Sequence, residues 1–282
     1  MGSGISREIN LEEYTDIIGG GGFGIIAKHS RKDEVVKLLF KSEDCNNAEI
    51  EFRMNRKVYE SIKLIEESYP SLRVNTPIPI HFSNDPVETK MGSFKCYYSM
   101  SLINTLPNSK YLFHTVLKDE YENIMNKLIS KNYKDPVSDE NPARGIFYTY
   151  KKLDPLLNEL KDVVIRTVKD ISFRMGALFG ICIFGSQLFP IDGEFVLSIQ
   201  NNKLYLSLLD FGMFEQVDIN SDVKELYKKY IDNFGIDIYL PYMDSYLYED
   251  FKKGLQNTGE FFLVRKKNLF MTDFLNMVLN PT

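Results

Sequence analysis

Metal-binding and redox-active residues are scarce in this sequence. Three cysteines (Cys45, Cys96, Cys182) and three histidines (His29, His81, His114) are scattered over 282 residues, and tryptophan is absent. There is no C-x-x-C pair and no H-E-x-x-H spacing. The sequence therefore predicts neither a disulfide framework nor a structural zinc site, and it points to a reducing, cytoplasmic compartment. Excess positive charge is also missing. A formal net charge of −5 argues against a nucleic-acid binder dominated by phosphate contacts, and the basic run Arg265–Lys267 is too short to change that. No apolar run reaches the roughly 18 residues of a membrane span, and the first residues lack the apolar core of a secretory signal.

Apolar material is nevertheless plentiful. The chain is 44% hydrophobic and 13% aromatic, ample for a core in one domain or two small lobes. It opens MGSGIS, and Gly2 followed by Ser6 fits the N-myristoylation pattern. The same letters are a common cloning remnant, so the sequence leaves both readings open. One acyl chain without a polybasic partner would give only weak, reversible membrane association.

Beyond an N-terminal segment (1–11), residues 12–29 read as a hairpin broken by glycines and 33–40 (DEVVKLLF) as a short strand. Ile50, Met54, Val58, Ile62 and Ile65 recur at helical spacing and predict a helix over 46–67. TPIPIHF (76–82) and SFKCYYSMSLI (93–103) read as strands. Near residue 104 the character changes, separating a small β-rich part (12–104) from a larger helical one (105–282). The latter begins with a helix at 117–132, a polar loop at 133–144 and a strand at 145–153, followed by a long helix at about 154–184. EFVLSI (194–199) and KLYLSLL (203–209) read as two strands joined at QNN and ending in DFG. The last 70 residues read as helical, interrupted at DIYLPYMDSY.

Two features carry chemistry. Five glycines fall in six positions, with Gly19, Gly21 and Gly24 in G-x-G-x-x-G spacing, Gly22 between them and Phe23 before the last. Bare backbone of this kind can approach phosphate oxygens without a side-chain clash. A dinucleotide-binding fold would follow it with a helix; FGIIAKHS reads instead as a strand, which fits a strand–loop–strand lid. The second feature is Lys37, the one polar residue in the buried-looking run EVVKLLF. A buried ammonium needs an anion. Glu49 and Glu51 both open the next helix, and Glu51 fits the inward stripe better.

Taken in order, IIGGGGFGII, EVVK, a helix glutamate and LLDFG resemble the protein-kinase signature set. The resemblance covers residues 12–104 and 194–213. It implies an α+β, bilobal protein-kinase-like fold with a β-rich N-lobe and a shortened, mainly helical C-lobe. By this resemblance Lys37 would pair with ATP phosphates, Glu51 would hold Lys37, and Asp210 would bind Mg²⁺. CYYSMSLI is similar to the strand entering the hinge, which would make Met100 the gatekeeper and Leu102 part of the hinge. PIDGEFVLSI and LYLSLLDFG, with DIYLPYMDSYLYEDFKKGL behind them, look like an uncharacterised, mainly fungal kinase-like family with an EFVL…LLDF motif.

The departures decide the functional expectation. Where H-R-D-x-x-x-x-N belongs, the chain reads SQLFPIDGEFVLSIQNNKLYLSLLDFG. In one register Asp192, 18 residues before Asp210, takes the base position and Leu197 the asparagine position. In the other, Pro190 takes the base and Phe195 the asparagine. Both registers lose the second metal ligand, because an apolar side chain offers Mg²⁺ no oxygen; Glu194 is the available substitute carboxylate. No A-P-E motif follows DFG. The expectation is an ATP-binding pseudokinase or interaction module, its protein partner met through residues 104–145 or the tail. The alternative is an active Mg²⁺-dependent kinase of a protein or small molecule, using Asp192 and Asp210.

Overall fold

The computed structural model describes residues 9–106, 162–191, 193–218, 221–232, 247–266 and 269–280. The expected elements at 117–132, 133–144 and 145–153, the acylation pattern, most of the proposed partner-binding insertion and Asp192 lie outside these residues. The fold is mixed α+β, with strands concentrated in the N-terminal region and helices in the C-terminal part.

Strands β1 (Tyr14–Gly20), β2 (Gly24–His29) and β3 (Glu34–Leu39) form an antiparallel meander, and helix α1 (Ser42–Glu66) follows. Next come β4 (Val74–Asn75), β5 (Pro79–Ser83), the small hairpin β6 (Val87–Thr89) and β7 (Gly92–Phe94), and β8 (Cys96–Ser101). The main sheet has the order β1-β2-β3-β8-β5 with every neighbouring pair antiparallel. Successive strand side chains alternate faces, and the burial follows. Val36 and Leu38 pack on one face with Leu11, Tyr14, Ala27 and Phe94. Leu39, Cys96 and Tyr98 pack on the other, against Cys45, Ala48 and Phe52 of α1. Lys37 shares this second face by strand parity.

Two expectations are corrected here. Ile50 is 43% exposed; the buried stripe runs through Cys45, Ala48, Phe52, Asn55, Val58, Ile62 and Ile65. Repeated steps of four residues drift around a helix, whereas alternating threes and fours hold one face. The expected absence of a disulfide is also overturned, because Cys45 and Cys96 are bonded to each other across 51 residues. Packing of α1 on β8 brings them together, with Cα atoms 5.8 Å apart; no sequence spacing could show it. The pair removes the cysteine argument for a reducing compartment.

In the C-terminal part, α2 (Asp162–Gly180) runs on into a π-helical stretch, Ile181–Ser186. Strand β9 (Leu188–Pro190) leads to a hairpin of β10 (Glu194–Gln200) and β11 (Lys203–Leu209). Asn201 and Asn202, at φ 50° and 57°, make the two-residue turn, as a primed hairpin turn requires. β12 (Phe214–Gln216) pairs back with β9, and α3 (Val223–Asp232), α4 (Tyr248–Lys266) and α5 (Leu269–Leu279) follow. Helices α2 and α4 pack at glycines: a Cβ on Gly176 would lie 1.8 Å from the Phe251 carbonyl oxygen, and one on Gly254 1.9 Å from that of Phe173. The large core includes these helices, both hairpin strands and the C-terminal half of α1. β4 joins it by pairing in parallel with β11. No helix of the described residues is long and apolar enough to cross a membrane.

Candidate functional site

A cleft of about 180 Å³ lies between the main sheet, α1 and the end of β11, and it contains Lys37, Glu51, Glu194 and Asp210. Lys37 Nζ donates to both Glu51 oxygens, at 2.8 and 3.1 Å. The lysine side chain is 25% exposed and the glutamate 12%, so the pair is largely removed from water and less screened than a surface pair. Glu49 instead pairs with Arg53 on the outer side of α1. Of the two sequence candidates, Glu51 is therefore the one facing Lys37.

A third group closes this pair. Tyr98 sits directly opposite Lys37 in the β3–β8 ladder. Its buried hydroxyl donates to Glu51 Oε1 at 2.7 Å, and Lys37 Nζ stands 5.6 Å from its ring centroid, within cation–π range. Burial pushes the phenol well above its usual pKa, with the Glu51 and Asp210 carboxylates acting in the same direction. Tyr98 thus stays a donor at any physiological pH. Sequence reading missed it, although parity places it on the face shared by Lys37 and Met100. Asn55, one turn after Glu51, also lines the cleft and was signalled only by its i+4 spacing.

The opposite wall comes from the hairpin. Asp210 holds φ 53°, a left-handed conformation that aspartate tolerates better than most residues. Its Oδ1 accepts the Gly212 N–H at 3.0 Å, a local bond that supports this conformation. Phe211 points into the large core, 4.9 Å from the Phe214 ring, while Asp210 is exposed to the cleft. Glu194 pairs with Leu209, the last ladder position before Asp210. Leu197 lies opposite Leu206 and Phe195 opposite Leu208, both buried in the core. The β10 side chain that shares the cleft with Asp210 is therefore Glu194, and neither apolar residue reaches it. Asp192 lies outside the described residues.

The glycine run forms the β1–β2 connection, closed by a Gly21 N–H to Gly24 carbonyl bond of 3.0 Å. Gly24 is required by packing, since a Cβ there would meet the Leu38 oxygen at 2.1 Å. Gly21 and Gly22 would meet nothing within 4 Å, and Phe23 at the tip is 67% exposed. Gly19 lies across from Ile26, which lines the cleft. Met100 lines the cleft and Leu102 does not; the Leu102 N–H donates to the Asp33 carbonyl at 2.8 Å, and Leu102 lines a separate cavity. That cavity is larger, about 610 Å³. Its charged residues include Lys63 and Glu66, which bond each other, so it lacks the convergence of cation and carboxylates seen around Lys37.

Among the described residues no group of three or more His, Cys, Asp or Glu could hold a metal ion alone. Asp210 and Glu194 offer two carboxylates to one cleft, which fits Mg²⁺, an ion commonly bound through one or two carboxylates with waters and substrate phosphates completing its shell. Set beside protein-family models and curated proteins, the chain matches none.

Proposed function

We propose that the chain is an atypical, bilobal protein-kinase-like protein that binds ATP with Mg²⁺ and serves as a pseudokinase or interaction module. The observation that carries this reading is the Lys37–Glu51 pair in one cleft with Asp210 and Glu194. Lys37 supplies positive charge for phosphate oxygens, Glu51 and Tyr98 fix its ammonium, and Asp210 with Glu194 would hold the metal. Bound Mg²⁺ would neutralise phosphate charge. The order of the five-stranded sheet, with α1 packed on its lysine-bearing face, supports the reading. Gly21 and Gly22 support it too. Neither has a positive φ or a steric neighbour that demands glycine, so their bareness is explained by a ligand approaching the backbone.

Glu194 favours a second reading, an active phosphotransferase, because it restores a metal-binding oxygen where the asparagine is missing. Asp192 would then be the acceptor's base. Calorimetry with ATP, with and without Mg²⁺, tests the main proposal. Wild type should bind in the micromolar range only with Mg²⁺, and Asp210→Ala should lose binding. No binding in either buffer refutes the nucleotide reading. Turnover that Asp192→Asn abolishes, with affinity unchanged, would replace the pseudokinase by the enzyme.

A further inference from the structure

The two ends of α1 are held very differently. Its C-terminal half lies in the large core through Val58, Ile62 and Ile65, and Ser186 Oγ donates to Ser61 Oγ at 3.0 Å from the π-helical stretch. The N-terminal half, which carries Glu51, rests on a small cluster of Leu39, Cys45, Ala48, Phe52, Cys96 and Tyr98. The N-cap residue, Lys41, makes no side-chain capping bond. Asp44 Oδ2, in the first turn, is buried without a hydrogen-bond partner. Beside the Glu51 bonds and this small cluster, the covalent tie of this end to the sheet is the Cys45–Cys96 disulfide. It sits six residues before Glu51 on α1, about 9 Å along the helix, and two residues before Tyr98 on β8.

We propose that the Cys45–Cys96 disulfide is a redox latch on the cleft: oxidised, it holds Glu51 against Lys37 and Tyr98; reduced, it releases the N-terminal turns of α1 and lowers nucleotide affinity. The effect on affinity rests on the nucleotide reading above; the effect on α1 does not. A dithiol reductant is the co-reactant. Its thiolate attacks Cys45 Sγ, which belongs to the more exposed of the two residues, at 8% against 0% for Cys96, and expels the Cys96 thiolate, which takes up a proton. The reductant's second thiolate then attacks the mixed disulfide and frees Cys45. The reductant leaves as a disulfide; two electrons and two protons are transferred to the protein. Cys182 takes no part, being wholly buried in the large core with its thiol held protonated by burial.

The test compares the full chain oxidised, the same chain reduced with dithiothreitol, and the Cys45→Ala/Cys96→Ala variant, by hydrogen exchange and by calorimetry with Mg²⁺–ATP. Amides 46–53 should exchange about tenfold faster in the reduced chain and the variant, those of α2 and α4 should be unchanged, and affinity should fall by about tenfold. Faster exchange at 46–53 with no ATP binding in any form keeps the latch and removes the nucleotide reading. ATP binding with unchanged exchange at 46–53 overturns the latch, and so does equal affinity in both redox states. Faster exchange throughout α2 and α4 overturns it as well, making the bond a general staple. Free thiols at both positions in the air-oxidised chain, shown by alkylation and mass spectrometry, also overturn it.

Discussion

Replacing Tyr98 by phenylalanine removes one oxygen atom from the shortest of the hydrogen bonds to Glu51. The ring would keep its place, 6.0 Å from that of Phe52, so the change opens little space. What is lost is a 2.7 Å bond to a carboxylate. Bonds to charged groups contribute about 1.5–3 kcal/mol net. Glu51 would retain both contacts from Lys37, so no bare charge is left and the lower half of that range applies, about 2 kcal/mol. The assay is urea unfolding of wild type, Tyr98→Phe, Glu51→Gln and the double variant. With the carboxylate neutralised, the hydroxyl bond is an ordinary one of about 1 kcal/mol, so the cycle should return a coupling near 1 kcal/mol. A loss below about 0.5 kcal/mol for Tyr98→Phe, or the same loss in both backgrounds, would refute the assignment of Tyr98 as the third member of the pair.

The remaining predictions concern packing and pH. In Gly254→Ala the new methyl meets the Phe173 carbonyl at 1.9 Å; overpacking costs about 3 kcal/mol, offset by about 1 from helix propensity, for a net loss near 2 in urea unfolding. Gly22→Ala, with nothing within 4 Å, should stay within about 0.5 kcal/mol; equal effects at the two sites would contradict the close α2–α4 approach. His81 has its pKa lowered from 6.5 by burial, against an upward pull from Asp85. The unfolded chain therefore binds a proton first, and stability should fall as pH drops through 6.5 toward the depressed value. His81→Gln should remove that portion of the decline; superimposable profiles for the two proteins would count against it.

Local pattern exposed much of this structure and long-range contact hid the rest. The glycine turn, the β10–β11 hairpin and the choice of Glu51 over Glu49 were legible because each depends on a few neighbouring residues: bare backbone, β-rich runs around two asparagines, and helical phase. Ile50 was misjudged because a run of i+4 steps tolerates several phases, and only contact with β8 selects one. The disulfide required knowing that α1 lies on β8. Leu102 looked like a hinge residue by position, but its N–H is committed to Asp33, remote in sequence and brought near by the pairing of β3 with β8. Tyr98 was visible as a strand residue, yet its role depends on facing Lys37 across a pairing that sequence alone did not establish. The kinase resemblance named the residues; it did not say which of Leu197, Phe195 and Glu194 stands beside Asp210, because that follows from hairpin register.

The cleft draws its halves from separate cores, and α1 is the element they share. Lys37 and Tyr98 stand on the sheet stabilised by the two smaller clusters, whereas Asp210 and Glu194 end a hairpin rooted in the large one. A helix of 25 residues spans about 37 Å; one half of α1 packs in each core, with Glu51 and Asn55 near the crossing. The buried Thr76 hydroxyl reinforces the crossing: it donates to the Leu208 carbonyl on β11 at 3.0 Å and lies 3.4 Å from the buried Asn55 Oδ1 on α1. The position of Glu51 therefore follows from both anchors at once. A substitution in either core that tilts α1 will reach the lysine pair without touching it, since packed interiors transmit displacement rather than absorb it. If the proposed nucleotide reading holds, affinity and the stability of α1 are coupled quantities in this fold, and a variant that changes one while leaving the other fixed identifies which wall of the cleft it has moved.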